Sequence, residues 1–111
     1  MLAHLEATVG RRLRGQLQRV LVPTAVRVEA GWSRTDPGAA TLNRLRAEDA
    51  PLDTLSANVA AGIVDRIGVS VADAHLGAVA QNVRGDVAVL TSDPDDVRRA
   101  AQPRRVNAIR I

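Results

Sequence analysis

A chain of 111 residues, 46% of them hydrophobic, is long enough for one domain with a buried core, and that core must be aliphatic because Trp32 is the single aromatic residue. The absence of cysteine excludes a disulfide framework, a thiolate zinc site and a cysteine nucleophile. The net charge of +3 is unevenly distributed: five arginines against Glu6 alone in residues 1–27, eleven carboxylates against five arginines in the middle, and five arginines with no acid in residues 98–111.

Helical spacing of apolar residues from about 2 to 17 predicts a first helix ending near Gly15. Arg19-Val-Leu-Val-Pro23 reads as a short buried strand closed by proline, with Thr24 as N-cap of a helix through Trp32. Asp36-Pro37 has the cap-then-proline order of another helix start, running to about Glu48. Ala50-Pro-Leu-Asp-Thr54 suits an edge strand, since Pro51 has no N–H for a ladder. Ser56 is placed to cap the next helix and Gly68 to stop it. Ser70-Val-Ala-Asp73 has capping-box spacing, with Asp for the usual Glu, and opens a helix that ends before Arg84-Gly85-Asp86. Val87-Ala-Val-Leu-Thr91 is an apolar run closed by polar residues, the pattern of a buried parallel strand. Asp93-Pro94 opens a short helix, and Val106-Asn-Ala-Ile-Arg-Ile111 alternates as a final strand does.

Strands separated by helices predict an α/β domain over residues 1–111 with a mostly parallel sheet, whose ligands bind beyond the carboxyl ends of the strands. Three acids stand out. Asp93 directly follows the best strand, and it is equally placed to cap the helix behind it. Asp73 lies among Val69, Val71, Ala72, Ala74 and Leu76, where a charge needs a partner, and it is equally the capping partner of Ser70. Glu29 sits in a helix and can as well face solvent.

Together, Val22-Pro-Thr-Ala-Val-Arg-Val-Glu29, Val69-Ser-Val-Ala-Asp73-Ala-His-Leu-Gly-Ala and Val89-Leu-Thr-Ser-Asp93-Pro-Asp-Asp96 resemble the second, third and fourth acidic blocks of the PIN-domain family, closest to VapC-like toxins of bacterial toxin–antitoxin pairs. That resemblance implies a three-layer α/β/α sandwich and an endoribonuclease whose Mg²⁺ or Mn²⁺ is held by Glu29, Asp73 and Asp93, with Asp95 or Asp96 as an outer helper. Hard cations take oxygen ligands, and an ion between crowded carboxylates offsets their repulsion. Thr91 and Ser92 are placed to orient Asp93 or a metal-bound water, and are equally placed simply to end the strand. The implied partners are RNA, a cognate antitoxin and a second copy of the chain; no membrane is implied.

The family opens with a central strand carrying a first site Asp, and this sequence shows none; the only acid before Glu29 is Glu6, in a helical setting. A start assigned too late, or a decayed gene, would each account for that. The competing expectations are a catalytically inactive module that binds antitoxin or RNA, and an unrelated α/β binding protein whose acids are only caps. His4 and His75 form no metal-spaced pair, and His75 is expected on a helix surface. The terminal arginines suit RNA phosphates or an acidic partner segment, without aromatic stacking. No apolar run has the length of a membrane span and no secretion signal is read, so a cytoplasmic location is expected.

Overall fold

The computed structural model describes residues 6–9, 19–44, 47–85 and 87–110. Five strands form one sheet: β1 Glu6–Val9, β2 Arg19–Pro23, β3 Glu48–Ala50, β4 Val87–Thr91 and β5 Asn107–Arg110, in the spatial order β3-β2-β1-β4-β5. The helices are α1 Thr24–Ala30, α2 Ala40–Asn43 after a 3₁₀ turn at Pro37–Ala39, α3 Thr54–Ile67, α4 Val71–Asn82 and α5 Pro94–Ala101. The fold is mixed α/β, as the alternation of strand and helix signals implies.

The centre of the sheet departs from expectation. Residues 6–9, read from the sequence as part of a helix, are a strand, while residues 2–5 and 10–17 of that expected helix lie outside the described residues. β1 runs antiparallel to both neighbours, with Ala7 opposite Leu21 on one side and Val89 on the other. β2–β3 and β4–β5 are parallel pairs, so four strands share one direction around a reversed central strand. The connection explains the reversal: only residues 10–18 join β1 to β2, whereas a parallel neighbour needs a crossover of roughly a dozen residues or more. The parallel pairs have such crossovers, through α1 and α2 for β2–β3 and through α5 for β4–β5.

Helix boundaries follow local chemistry, with three adjustments. Thr24 is the first residue of α1 rather than its cap, and its Oγ1 instead accepts from the Leu52 amide at 3.2 Å. The helix expected from Asp36 to Glu48 is shorter: the Asp36 side chain caps the 3₁₀ turn by accepting from Gly38 N, and Glu48 already belongs to β3. The expected strand at 50–54 lies slightly earlier, because Asp53, and not Ser56, caps α3 by accepting from Ser56 N at 2.8 Å. Gly31 and Gly68 end α1 and α3 with φ of 68°, a left-handed conformation that glycine adopts without steric penalty.

Helix α4 is the hub. Nine consecutive residues, Ala72–Ala80, are buried, so the helix is covered all round and lacks a polar face. It packs on α1, α3, α5, β1 and β2. Its small residues permit this: a Cβ on Gly77 would lie 2.6 Å from the Ala100 carbonyl oxygen of α5. Val22, Val26, Leu76, Val89 and Val97 fill the core below, each burying apolar area worth roughly 1.5–3 kcal/mol. Among the described residues no single helix is long and apolar enough to cross a membrane.

Candidate functional site

Because β2 and β4 both oppose β1, the carboxyl ends of β2, β3, β4 and β5 lie along one edge of the sheet. Two contacts carry helix starts to that edge. The Ala25 amide in the first turn of α1 donates to His75 Nδ1 in α4 at 3.2 Å. Gly77 meets Ala100, and Gln81 donates to the carbonyls of Ala100 and Gln102, so α4 and α5 run in the same direction. Four residues earlier on each helix stand Asp73 and Asp96, in first turns that face the same way.

Asp93 and Asp96 form the acidic pair of this edge. Thr91, fully buried at the end of β4, accepts the Asp93 amide on Oγ1 at 3.0 Å and thereby sets the turn that presents Asp93. Asp93 Oδ1 in turn accepts from Asp96 N at 3.4 Å as the cap of α5, so the capping role and the placement at the sheet edge hold together. The Asp96 carboxyl is pushed above the usual aspartate value, first by a hydrogen bond to the Asp93 carboxyl, then by burial and the Asp93 charge, with Arg99 opposing. Two carboxyl groups this close ionise together only at a cost. Arg98 and Arg99 answer Asp95 and Asp96 at 3.2 Å each in exposed i,i+3 pairs.

The other expected site acids are distributed as follows. Asp73 is buried in the first turn of α4, where its amide donates to Ser70 Oγ at 3.1 Å, the expected half of a capping box. Glu29 is exposed near the end of α1, on a shallow apolar groove with Val28, Leu52, Val71 and Ala72. It thus neighbours the first turn of α4, while Asp93 and Asp96 lie at α5. Among the described residues no group of three or more His, Cys, Asp or Glu side chains is placed to hold a metal ion. Glu6, set aside in the sequence as helix-borne, stands in register with Leu90, so its backbone is at the carboxyl edge beside β4. Nothing local in residues 1–9 signals this, because the placement comes from pairing with β2 and β4.

His75 differs most from expectation. It is fully buried, and its Nδ1 accepts a backbone hydrogen bond, which requires the neutral ring with its proton on Nε2. Burial pushes the imidazole below its ordinary value of 6.5, against the opposing pull of the Pro51 backbone and the Asp53 charge. Nε2 makes no hydrogen bond of normal geometry. The ring clamps α4 to the start of α1 beside the acidic edge, and its surroundings in sequence, Asp73-Ala-His-Leu-Gly, lack the polar stripe that would have marked a surface position or a core one.

A second cluster went unrecognised in the sequence. Trp32 is buried with two guanidinium groups over its ring, Arg34 at 4.8 Å and Arg27 at 5.7 Å from the ring centre, and both arginines pair with Asp49. The hydrogen bond from Arg34 holds the Asp49 carboxyl below the usual range, helped by the charges of both arginines against some burial. Trp32 Nε1 donates to Asn43 Oδ1 at 3.0 Å, and Asn43 Nδ2 donates to the Arg34 carbonyl. The hydrogen bonds and ion pairs of this knot tie α1 and α2 to β3, so its role is structural.

No protein-family model, curated protein or solved structure matches this chain.

Proposed function

We propose that the chain is a metal-dependent endoribonuclease of the PIN-domain kind, the toxin of a toxin–antitoxin pair, hydrolysing RNA phosphodiesters at the carboxyl edge of the sheet. The observation that carries this reading is the Thr91–Asp96 turn: a buried threonine presents Asp93, its Oδ1 accepts from the Asp96 amide, and the Asp93 carboxyl, by hydrogen bond before charge, raises that of Asp96. A divalent cation relieves such repulsion, and Mg²⁺ binds through one or two carboxylates plus waters and substrate phosphates, so this pair is a sufficient donor set. Asp93 and Asp96 would hold the ion, with Asp73 and Glu29 as the further acids that the resemblance assigns. Glu6 is the candidate for the family's first acid, on the strength of its register opposite Leu90. When bound, Mg²⁺ or Mn²⁺ supplies Lewis-acid stabilisation of charge on the phosphate. The family's three-layer α/β/α sandwich belongs to this proposal through the resemblance alone; α1, α4 and α5 pack on the sheet and, through α4, on one another.

The proposed partner is a cognate antitoxin segment covering this edge, with a homodimer as the working form in the cytoplasm. Val28, 81% exposed, with Val71 and Leu52 beside Glu29, offers the apolar surface such a contact needs.

Purified chain with Mn²⁺ should cleave a structured RNA, and both Asp73→Asn and Asp93→Asn should reduce cleavage at least a hundredfold while melting as the parent does. Cleavage that survives both substitutions excludes the carboxylate site. A second reading, an inactive module that binds antitoxin or RNA without cutting, is favoured by the absence of a three-ligand group among the described residues. RNA binding with no Mn²⁺-dependent cleavage at any concentration would establish it over the first.

A further inference from the structure

The basic surface lies on the other side of α5 from its acidic start. A groove of about 710 Å³ is lined by Arg66 of α3, Arg98 of α5 and, in the loop to β5, Arg104 and Arg105. A second groove shares Arg104, Arg105 and Val106 and continues along Gly85 and Val87 at the start of β4. The two therefore form a path past a ridge of adjacent arginines, leading to the amino edge of the sheet.

We propose that this path binds the sugar–phosphate backbone of a nucleic acid through phosphate contacts alone, without reading its bases. Three observations converge on that chemistry. Four guanidinium groups from three segments line one groove, and among the described residues the carboxylate paired with any of them is that of Asp95, on Arg98, in an exposed contact of little strength. Arg104 lines both grooves and donates to the Gly85 carbonyl, which holds its guanidinium at their junction. Among the described residues, the apolar side chains of the main groove are Pro103 and Val106 alone, too few to seat the anchors by which an acidic peptide docks, with no aromatic ring for stacking a base. Guanidinium forks match phosphate oxygens in pairs. The proposal does not depend on cleavage at the acidic edge, because binding is read with metal removed.

The test is fluorescence anisotropy of labelled 20-nucleotide RNA with the whole chain in EDTA, over a range of salt. With four phosphate contacts, log affinity should fall against log salt with a slope of about −2.8, near −0.7 per contact for a single strand. Arg66→Ala/Arg105→Ala should weaken binding at least tenfold and bring the slope to about −1.4, with an unchanged melting curve. Arg105→Lys should retain most of the affinity that Arg105→Ala loses. Arg44→Ala, which removes the same charge from an exposed site near β3, should change affinity less than twofold. Single-stranded DNA and RNA homopolymers of equal length should bind within a few fold of one another. Equal losses for Arg44→Ala and Arg105→Ala, tighter binding of polyglutamate than of RNA, or a large preference among homopolymers would each overturn the proposal.

Discussion

The two ends of α5 carry opposite chemistry. At its start, Asp93, Asp95 and Asp96 crowd the carboxyl edge of the sheet; towards and beyond its finish, Arg98, Arg104 and Arg105 face the basic path. The helix dipole favours this order at both ends, because negative charge is stabilised near the first turn and positive charge near the last. The fold can therefore accommodate both groups of charge with little loss of stability. Yet the dipole does not explain everything. It does not require the Asp93 and Asp96 carboxyls to share one region, nor does it reach Arg104 and Arg105, which lie past the helix. These are the residues for which we propose a ligand, a cation at one end and phosphates at the other.

Breaking the support common to both ends should have the largest effect. A Cβ at Gly77 collides with the backbone of Ala100, which cannot swing aside as a side chain can, so Gly77→Val should destabilise the fold by about 3 kcal/mol. Urea denaturation measures it, and metal and RNA binding should weaken together as α4 and α5 separate.

Substituting His75 affects the acidic edge alone. His75→Ala leaves the Ala25 amide without its acceptor and should cost about 2 kcal/mol. Because the folded-state value lies below the ordinary 6.5, the unfolded chain takes up the proton first as the solution is acidified. The stability that neutral His75 supports is thus whole above about pH 6.5 and is lost as pH falls towards the lowered folded value. Melting temperature measured from pH 7.5 to 5 should fall in the parent, and this component should be missing in His75→Ala.

The knot around Trp32 provides a control distant from α5. Arg34→Ala should cost about 1 kcal/mol, the scale of an exposed ion pair with a cation–π contact, and leave RNA and metal binding unchanged. Its acid dependence is distinct from that of His75: the lowered Asp49 value confers stability that is complete above about pH 3.8 and disappears as pH falls through the folded value. The smallest effect is expected from Asp95→Ala. Stability should change by less than about 0.5 kcal/mol, while RNA binding at low salt tightens because Arg98 loses its carboxylate.

Legibility in the sequence tracked how local each determinant is. The Val87–Thr91 strand, the Asp93-Pro94 helix start, Gly68 and the Ser70–Asp73 cap are written in a few consecutive residues, and all of them form. The turn that presents Asp93 was legible for the same reason. What the sequence did not reveal depends on distant partners. Glu6–Val9 becomes a strand because β2 and β4 flank it, and its four residues fit a helical spacing equally well. His75 is buried because three helices and the sheet enclose α4, and a helix covered on every side has no amphipathic period to read. Arg27, Arg34 and Asp49 meet across separations of fifteen and twenty-two residues. Asp73 and Asp93 were recognised as residue types at the right spacing, but spacing alone does not determine whether their carboxylates share one ion.

The most direct test of opposed functions on α5 is a crossed titration with Mn²⁺ by calorimetry and with RNA in EDTA. Asp93→Asn/Asp96→Asn should lose Mn²⁺ affinity at least tenfold and keep its RNA affinity, and Arg66→Ala/Arg105→Ala should do the reverse. Mn²⁺ binding to the Asp93→Asn/Asp96→Asn variant as tight as to the parent would contradict the account, because the carboxyl edge would then hold no cation through the pair on which the proposed chemistry depends.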